Sequence, residues 1–332
     1  MKALLSVQAG DTGTLVLQTM DDPLPQPGTV RIAVEACGVN FPDSLIIRDL
    51  YQFRPERPFA PGCEVSGRID AIGDGVTRFS VGDRVAGCEG WGGMAEKIVI
   101  REERCFCIPD AMPMQDAAGL LMTYGTSQHA LKDRAQLQAG ETLVVIGAAG
   151  GVGLAAVELG KAMGAHVVAA VSSAAKAQVC RERGADAVVV YPAGEFDGAA
   201  ARALTEQVKA ACGGNGADVI YDAVGGRYAE PMLRAIAWGG RYLVVGFPAG
   251  IPRLPFNLPL LKGCSIVGVF WGEFVTRNPA RHAVNIAELF DLYIGGKIRP
   301  LISETYPLQR GADAIERLAS RQTVGKIVVT IA

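Results

Sequence analysis

From residue 1 to about residue 118 the chain runs in short stretches of alternating apolar and polar positions, cut by turns. Thr29 to Ala36 alternates at period two behind Pro23, Pro25, Pro27 and Gly28, the pattern of a half-buried strand entered from a turn. Glu64 to Ile72, with Gly73-Asp74-Gly75 as its turn, Asp83 to Ala86 and Ala95 to Ile100 read in the same way, and Pro109 to Pro113 leads into a helix.

From about 119 to 260 the pattern changes. Short apolar runs at Leu143 to Ile146, His166 to Val171, Ala187 to Val190, Val219 to Tyr221 and Tyr242 to Val245 alternate with helical stretches. Val152, Ala156, Leu159 and Met163 recur on one helix face, and Lys176 to Arg183 and Tyr228 to Ala237 read as further helices. Strands alternating with helices predict a parallel sheet with crossover helices. From Lys262 the chain reads as a strand (Ser265 to Phe270), helices at Ala280 to Tyr293 and Ala312 to Ala319, and a closing strand at Lys326 to Ile331. The expected fold class is α/β, a Rossmann-type doubly wound parallel-sheet domain (119–261) inserted in a mainly β domain made of 1–118 and 262–332.

Gly147-Ala148-Ala149-Gly150-Gly151-Val152-Gly153 stands between the predicted strand at Ile146 and the following helix. This is the dinucleotide fingerprint with Ala148 at the first glycine position. Gly150 lets the backbone approach a pyrophosphate, Gly153 lets helix pack on strand, and the helix N-terminus offers N–H groups to the anion. An NAD site carries Asp or Glu at the end of the second strand, but this chain has Val171-Ser172-Ser173 with Lys176 nearby. Two hydroxyls and a cation suit a 2′-phosphate, so NADPH is favoured. Read from the residues alone, the competing account is a solvated Lys176 and a helix-capping Ser172.

Composition narrows the partners. The net charge is −2, from 32 basic and 34 acidic residues, so nucleic acid is not expected. The apolar run Leu143 to Val157 contains four glycines and stops at Glu158, short of the ~20 residues of a membrane span. Met1 to Gln8 has too short an apolar run for a signal peptide, so a cytoplasmic location with the eight cysteines reduced is expected. Cys105-Phe106-Cys107 is the only close cysteine pair, and with three histidines in the chain no metal site is expected.

The loop at 147–153, together with Asp222-Ala223-Val224-Gly225-Gly226, Val245-Gly246-Phe247 and Thr323-Val324-Gly325-Lys326, resembles the medium-chain dehydrogenase/reductase superfamily over nearly the whole chain. Gly38-Val39-Asn40-Phe41-Pro42-Asp43 is similar to its zinc-free NADPH:quinone oxidoreductase group, which includes zeta-crystallin. The resemblance implies a GroES-like first domain. Zinc-dependent members have Cys where this chain has Asn40 and His where it has Cys63, followed by the Glu that here is Glu64, and their four-cysteine structural lobe is missing.

By position, the resemblance implies Asn40 and Tyr51 at the substrate and Thr126 beside the nicotinamide. It implies Lys176, Tyr191 and Arg321 at the 2′-phosphate and adenine end, and Phe247 and Trp271 near the ribose and nicotinamide, where either also fits as a core aromatic. Tyr51 is the candidate proton donor, Asn40 a positioning residue, Asp43 a structural cap and Cys63 a buried small residue. The implied activity is zinc-independent reduction of a small electrophile, a quinone or other α,β-unsaturated carbonyl compound, by a homodimer. Two alternatives stand beside it, a dedicated enone or acryl-type reductase and an NADPH-binding crystallin-like protein with incidental redox activity.

Overall fold

The computed structural model describes residues 1–192 and 196–331. The chain divides into two compact units, Met1–Met122 with Arg299–Ala332, and Thr123–Ile298.

The first unit is built on a seven-stranded sheet, in the order Ile302–Pro307, Lys326–Thr330, Thr29–Val39, Glu64–Ile72, Arg84–Cys88 and Cys105–Cys107, with Lys97–Arg101 paired to Thr29–Val39 off this path. All its ladders are antiparallel except that of the two C-terminal strands. The period-two pattern of 29–36 matches the burial of Val30, Ile32 and Val34, which join Ile69, Val85, Ile100, Ile327 and Val329 in one apolar core. Lys326–Thr330 pairs directly with Thr29–Val39, so a C-terminal strand lies inside this sheet. A short N-terminal ladder, Lys2–Ser6 with Leu15–Thr19, was not predicted.

The second unit is a six-stranded parallel sheet in the order Ala187–Val190, His166–Val171, Thr142–Ile146, Ala217–Asp222, Ile236–Val244, Ser265–Gly268. Numbered along the unit, this is the doubly wound order 3-2-1-4-5-6, with its switch point between Thr142–Ile146 and Ala217–Asp222. Val144, Ile146, Val168 and Ile220 are buried beneath the crossover helices, which explains the nearly unbroken apolar runs of these strands.

Three expectations differ from the structure. The return to the first unit, placed at 262 from sequence, falls at Arg299 in the contact division. The reason is that Ser265–Gly268 pairs in parallel with Arg241–Val244 as the sixth strand, and the helix Pro279–Ile294 is tied to the same unit by the Arg281–Asp133 and Lys132–Glu288 ion pairs. At the other boundary, 118/119 becomes Met122/Thr123, within the helix Leu121–Gln128. The predicted helix Tyr228–Ala237 is shorter, Ala229–Arg234, because Ile236 is already paired with Ala217. Among the described residues no helix is long and apolar enough to cross a membrane.

Candidate functional site

In the second unit the phosphate-type loop leaves the central strand at Ile146 and enters the helix Gly151–Ala162. Gly147 takes φ +72, so the tight turn is made one residue before Ala148, and the buried Ala148 is tolerated at the first fingerprint position. A Cβ on Gly153 would lie 2.2 Å from the Gly147 carbonyl oxygen, so only glycine permits this approach of helix to strand. A Cβ on Gly150 would meet nothing closer than 3.5 Å, so no internal contact demands that glycine. Leu154 N–H donates to the Gly150 carbonyl, leaving Gly151, Val152 and Gly153 as first-turn N–H groups without intrahelical acceptors.

Sequence reasoning missed what holds this loop. Ser127 Oγ donates to the Val152 carbonyl at 2.9 Å and lies 2.9 Å from the Tyr221 hydroxyl, joining three elements at the switch point. Beside it, Asp222 Oδ1 accepts from the N–H groups of Val224 and Gly225, each at 2.8 Å, and Oδ2 accepts from the Tyr242 hydroxyl at 2.5 Å. Burial raises the Asp222 pKa, opposed by these donors. The acidic residue in the motif at 222–226 therefore shapes the turn that ends at Gly226. Glu158, which interrupts the apolar run, is buried but satisfied by the Tyr124 hydroxyl at 2.7 Å and Arg183 at 2.9 Å.

At the end of His166–Val171 the structure brings together Ser172, Ser173, Lys176 and Tyr191. Ser173, rather than Ser172, caps the helix Ala174–Glu182, accepting from Lys176 N–H at 3.3 Å. Lys176 Nζ reaches Ser172 Oγ at 3.5 Å, and burial lowers the Lys176 pKa. Tyr191 N–H donates to the Val171 carbonyl at 2.9 Å, and its ring packs on Tyr228 at 4.7 Å. Thr126 is buried in the helix Leu121–Gln128. Its neighbour Gly125 lies under the Trp271 ring, where a Cβ would come within 2.9 Å, so Trp271 is a wall of this region. Phe247 is exposed and its ring abuts Gly225.

In the first unit Asn40 caps the helix Phe41–Ile46, and Asp43 completes the box by accepting from Asn40 N–H at 2.7 Å and Gly62 N–H at 3.1 Å. Asp43 is buried, which lifts its pKa to about 6. It is a structural cap, as its place in the turn suggested.

The Asn40 amide is turned inward. Its Nδ2 donates to Glu64 Oε1 at 2.9 Å and to the Gly38 carbonyl at 3.2 Å, and it stands 3.4 Å from Cys63 Sγ, while its Oδ1 accepts from Lys326 Nζ at 2.5 Å. Lys326 also pairs with Glu64 Oε1, and Glu64 Oε2 accepts from Met122 N–H at 2.8 Å. Both ionised side chains are buried. Thus an ammonium group sits among the residues at which zinc-dependent proteins of this resemblance place a metal. The donors here are an amide, a thiol and a carboxylate already holding a cation, a set that does not fit Zn²⁺. Among the described residues no group of three or more His, Cys, Asp or Glu is placed to hold a metal ion.

Tyr51 lies near this cluster, partly buried against the apolar core, with Phe53 edge-on at 5.8 Å. Its hydroxyl has no hydrogen-bond partner among the described residues, and burial, then Cys63, Cys88 and Asp43, push its pKa to about 12. It is a neutral donor at physiological pH. Arg321 belongs to the first unit, exposed after the helix Gly311–Ala319 with φ +61.

Residues 151–288 match the family described as zinc-binding dehydrogenase, and residues 26–110 that of the alcohol dehydrogenase GroES-like domain. The chain is 38% identical over 304 residues to a quinone oxidoreductase-like protein 2 homolog of Nematostella vectensis, covering 90% of this chain and 81% of that one. Its fold is similar to that of a mycobacterial protein complexed with NADPH, with TM-score 0.91, 30% identity, and 99% and 100% of the two chains covered. Escherichia coli quinone oxidoreductase complexed with NADPH superposes with TM-score 0.90 at 26% identity, covering 99% of this chain and 100% of that one.

Proposed function

The chain belongs to the quinone oxidoreductase-like group of the medium-chain dehydrogenase/reductase superfamily, and from that premise we propose an NADPH-dependent, zinc-independent reductase of quinones or other α,β-unsaturated carbonyl compounds. The observation that carries the zinc-independent part is the Lys326 ammonium held by Glu64 and Asn40. With a cation already neutralising Glu64, the cluster gives a metal neither a vacant charge nor a preformed set of N and S ligands.

NADPH, when bound, supplies the hydride, so the protein's part is orientation, exclusion of water and delivery of a proton. The first-turn N–H groups of Gly151, Val152 and Gly153 suit a pyrophosphate, and the freedom around Gly150 suits a close ligand. Ser172, Ser173, Lys176 and Tyr191 suit the 2′-phosphate and adenine end, with Lys176 as the charge-assisted donor. Thr126, Phe247 and Trp271 are the proposed nicotinamide-side residues. Tyr51 is the proposed donor to a substrate carbonyl, supported by its neutral hydroxyl without a partner among the described residues. Asn40 acts indirectly, because its amide is spent on Glu64, Gly38 and Lys326.

A homodimer is the assembly proposed with this reading. Ser265–Gly268 is the edge of the parallel sheet, and Trp238, Ile251, Phe256, Leu260 and Leu261 of the same unit are each about two-thirds exposed or more. An unprotected edge beside a run of large apolar side chains suits self-association with two-fold symmetry. Light scattering at the mass of one chain would overturn it.

The deciding experiment measures NADPH consumption against panels of quinones and enones, with and without a chelator. Turnover indifferent to the chelator supports the proposal, and a strong enone preference narrows it to a dedicated enone reductase. NADPH binding without turnover on either panel favours a binding protein instead.

A further inference from the structure

We propose that Cys63 and Cys88 are a peroxide-sensitive thiol pair that closes into an intramolecular disulfide. Glu64 and Cys88 face each other across the antiparallel ladder, and Glu89 N–H donates to the Cys63 carbonyl at 2.9 Å. Cys63 and Cys88 are therefore diagonal neighbours on adjacent strands. Strands ~4.8 Å apart put the Cα atoms of such neighbours inside the ~4.4–6.8 Å range of a disulfide. A regular pleat would send the two side chains to opposite faces. Cys63, however, precedes the first residue of its strand and follows Gly62 at φ +94, so the pleat does not set its direction.

Asn40 Nδ2 stands 3.4 Å from Cys63 Sγ and 2.9 Å from Glu64 Oε1, which puts the Cys63 thiol on the side that Glu64 shares with its ladder partner Cys88. The neighbouring Cys88 thiol, then burial, holds the Cys63 pKa well above the ordinary thiol range. Cys88 is the more accessible of the two. This asymmetry assigns the order of events. The Cys88 thiolate attacks a hydroperoxide oxygen, breaking the O–O bond to give a sulfenic acid and an alcohol, or water from hydrogen peroxide. Cys63 sulfur then attacks the sulfenic sulfur, forming the S–S bond and releasing its proton with the hydroxyl as water. Two thiols lose two electrons, and the peroxide gains them. Cys37 and Cys105 are fully buried and out of reach of peroxide, whereas Cys107, two residues along from Cys105, is exposed and is the competing site.

The test needs neither cofactor nor substrate, so it stands apart from the functional reading. The purified full chain is treated with hydrogen peroxide, blocked with iodoacetamide under denaturing conditions, digested with trypsin and mapped by mass spectrometry. Arg68, Arg78 and Arg84 separate the two cysteines into different peptides. The expected product is one linked pair carrying Cys63 and Cys88, released by dithiothreitol and absent from Cys88→Ser. The inference is overturned if Cys88 stops at sulfinic acid while Cys63 is alkylated, if Cys88 links to Cys105 instead, or if oxidation is confined to Cys107. Wild-type mapping decides among these even if the variant fails to fold.

Discussion

Lys326 forms its ion pair with Glu64 across 262 positions of sequence, in a part of the first unit where both side chains are buried. Removing only one partner leaves an uncompensated charge in that interior, which typically costs about 3–5 kcal/mol. Lys326→Met is therefore expected to lose stability on this scale in urea unfolding, and the double variant Lys326→Met/Glu64→Gln to recover much of it. A single variant as stable as wild type would show that Glu64 finds solvent or another partner.

Gly150 and Gly153 separate the structural and ligand-facing demands on one loop. A Cβ at 153 collides with the Gly147 carbonyl at 2.2 Å, so Gly153→Ala must move backbone, and both a lower melting temperature and weaker cofactor binding are expected. At 150 the nearest atom is 3.5 Å away and φ is −80, so Gly150→Ala is expected to keep its melting temperature while losing NADPH affinity. Paired thermal melts and cofactor titrations check both. A Gly150→Ala variant that binds NADPH like wild type would remove Gly150 from the binding surface.

How far the sequence reveals the site depends on how local the interactions are. The loop at 147–153 is legible because strand, turn and helix follow one another directly, and the Asn40–Asp43 cap because its partners are three residues apart. The Lys326 contact to Asn40 spans 286 positions, and Ser127 reaches Tyr221 across 94. Nothing in the periodicity around these residues marks such contacts, because topology alone brings them together. The same cause explains the misplaced boundary at 262. Ser265–Gly268 has the pattern of a strand in either unit, and only its pairing with Arg241–Val244 decides which sheet it joins.

Tyr51 and Asn40, both implied at the substrate, differ in the structure. The Asn40 amide is committed internally, whereas the Tyr51 hydroxyl is protonated and without a partner among the described residues. Tyr51→Phe is expected to keep NADPH binding and to lower enone turnover by roughly 10²-fold, the low end of what a positioned acid contributes. Quinone reduction should fall less, since its product oxygen can take a proton from water. Steady-state kinetics on both substrate classes, with unchanged enone turnover, would make Tyr51 a wall residue.

Lys176 carries the prediction about cofactor choice. Its amino group lies 3.5 Å from Ser172 Oγ at the end of the second strand, where an acidic residue would repel a phosphate. Lys176→Ala is expected to weaken NADPH binding by about 1.5–3 kcal/mol, roughly 10- to 150-fold, the range for a hydrogen bond to a charged group. NADH has no 2′-phosphate to lose, so its affinity should hardly change. The helix cap is a built-in control, because Ser173 accepts from the Lys176 backbone N–H, which the substitution keeps. Titration of both cofactors against wild type and variant by nicotinamide fluorescence distinguishes the cases. Equal weakening of NADH and NADPH would assign Lys176 to the fold, and a wild type that prefers NADH would overturn the reading of Ser172, Ser173 and Lys176 as a phosphate site.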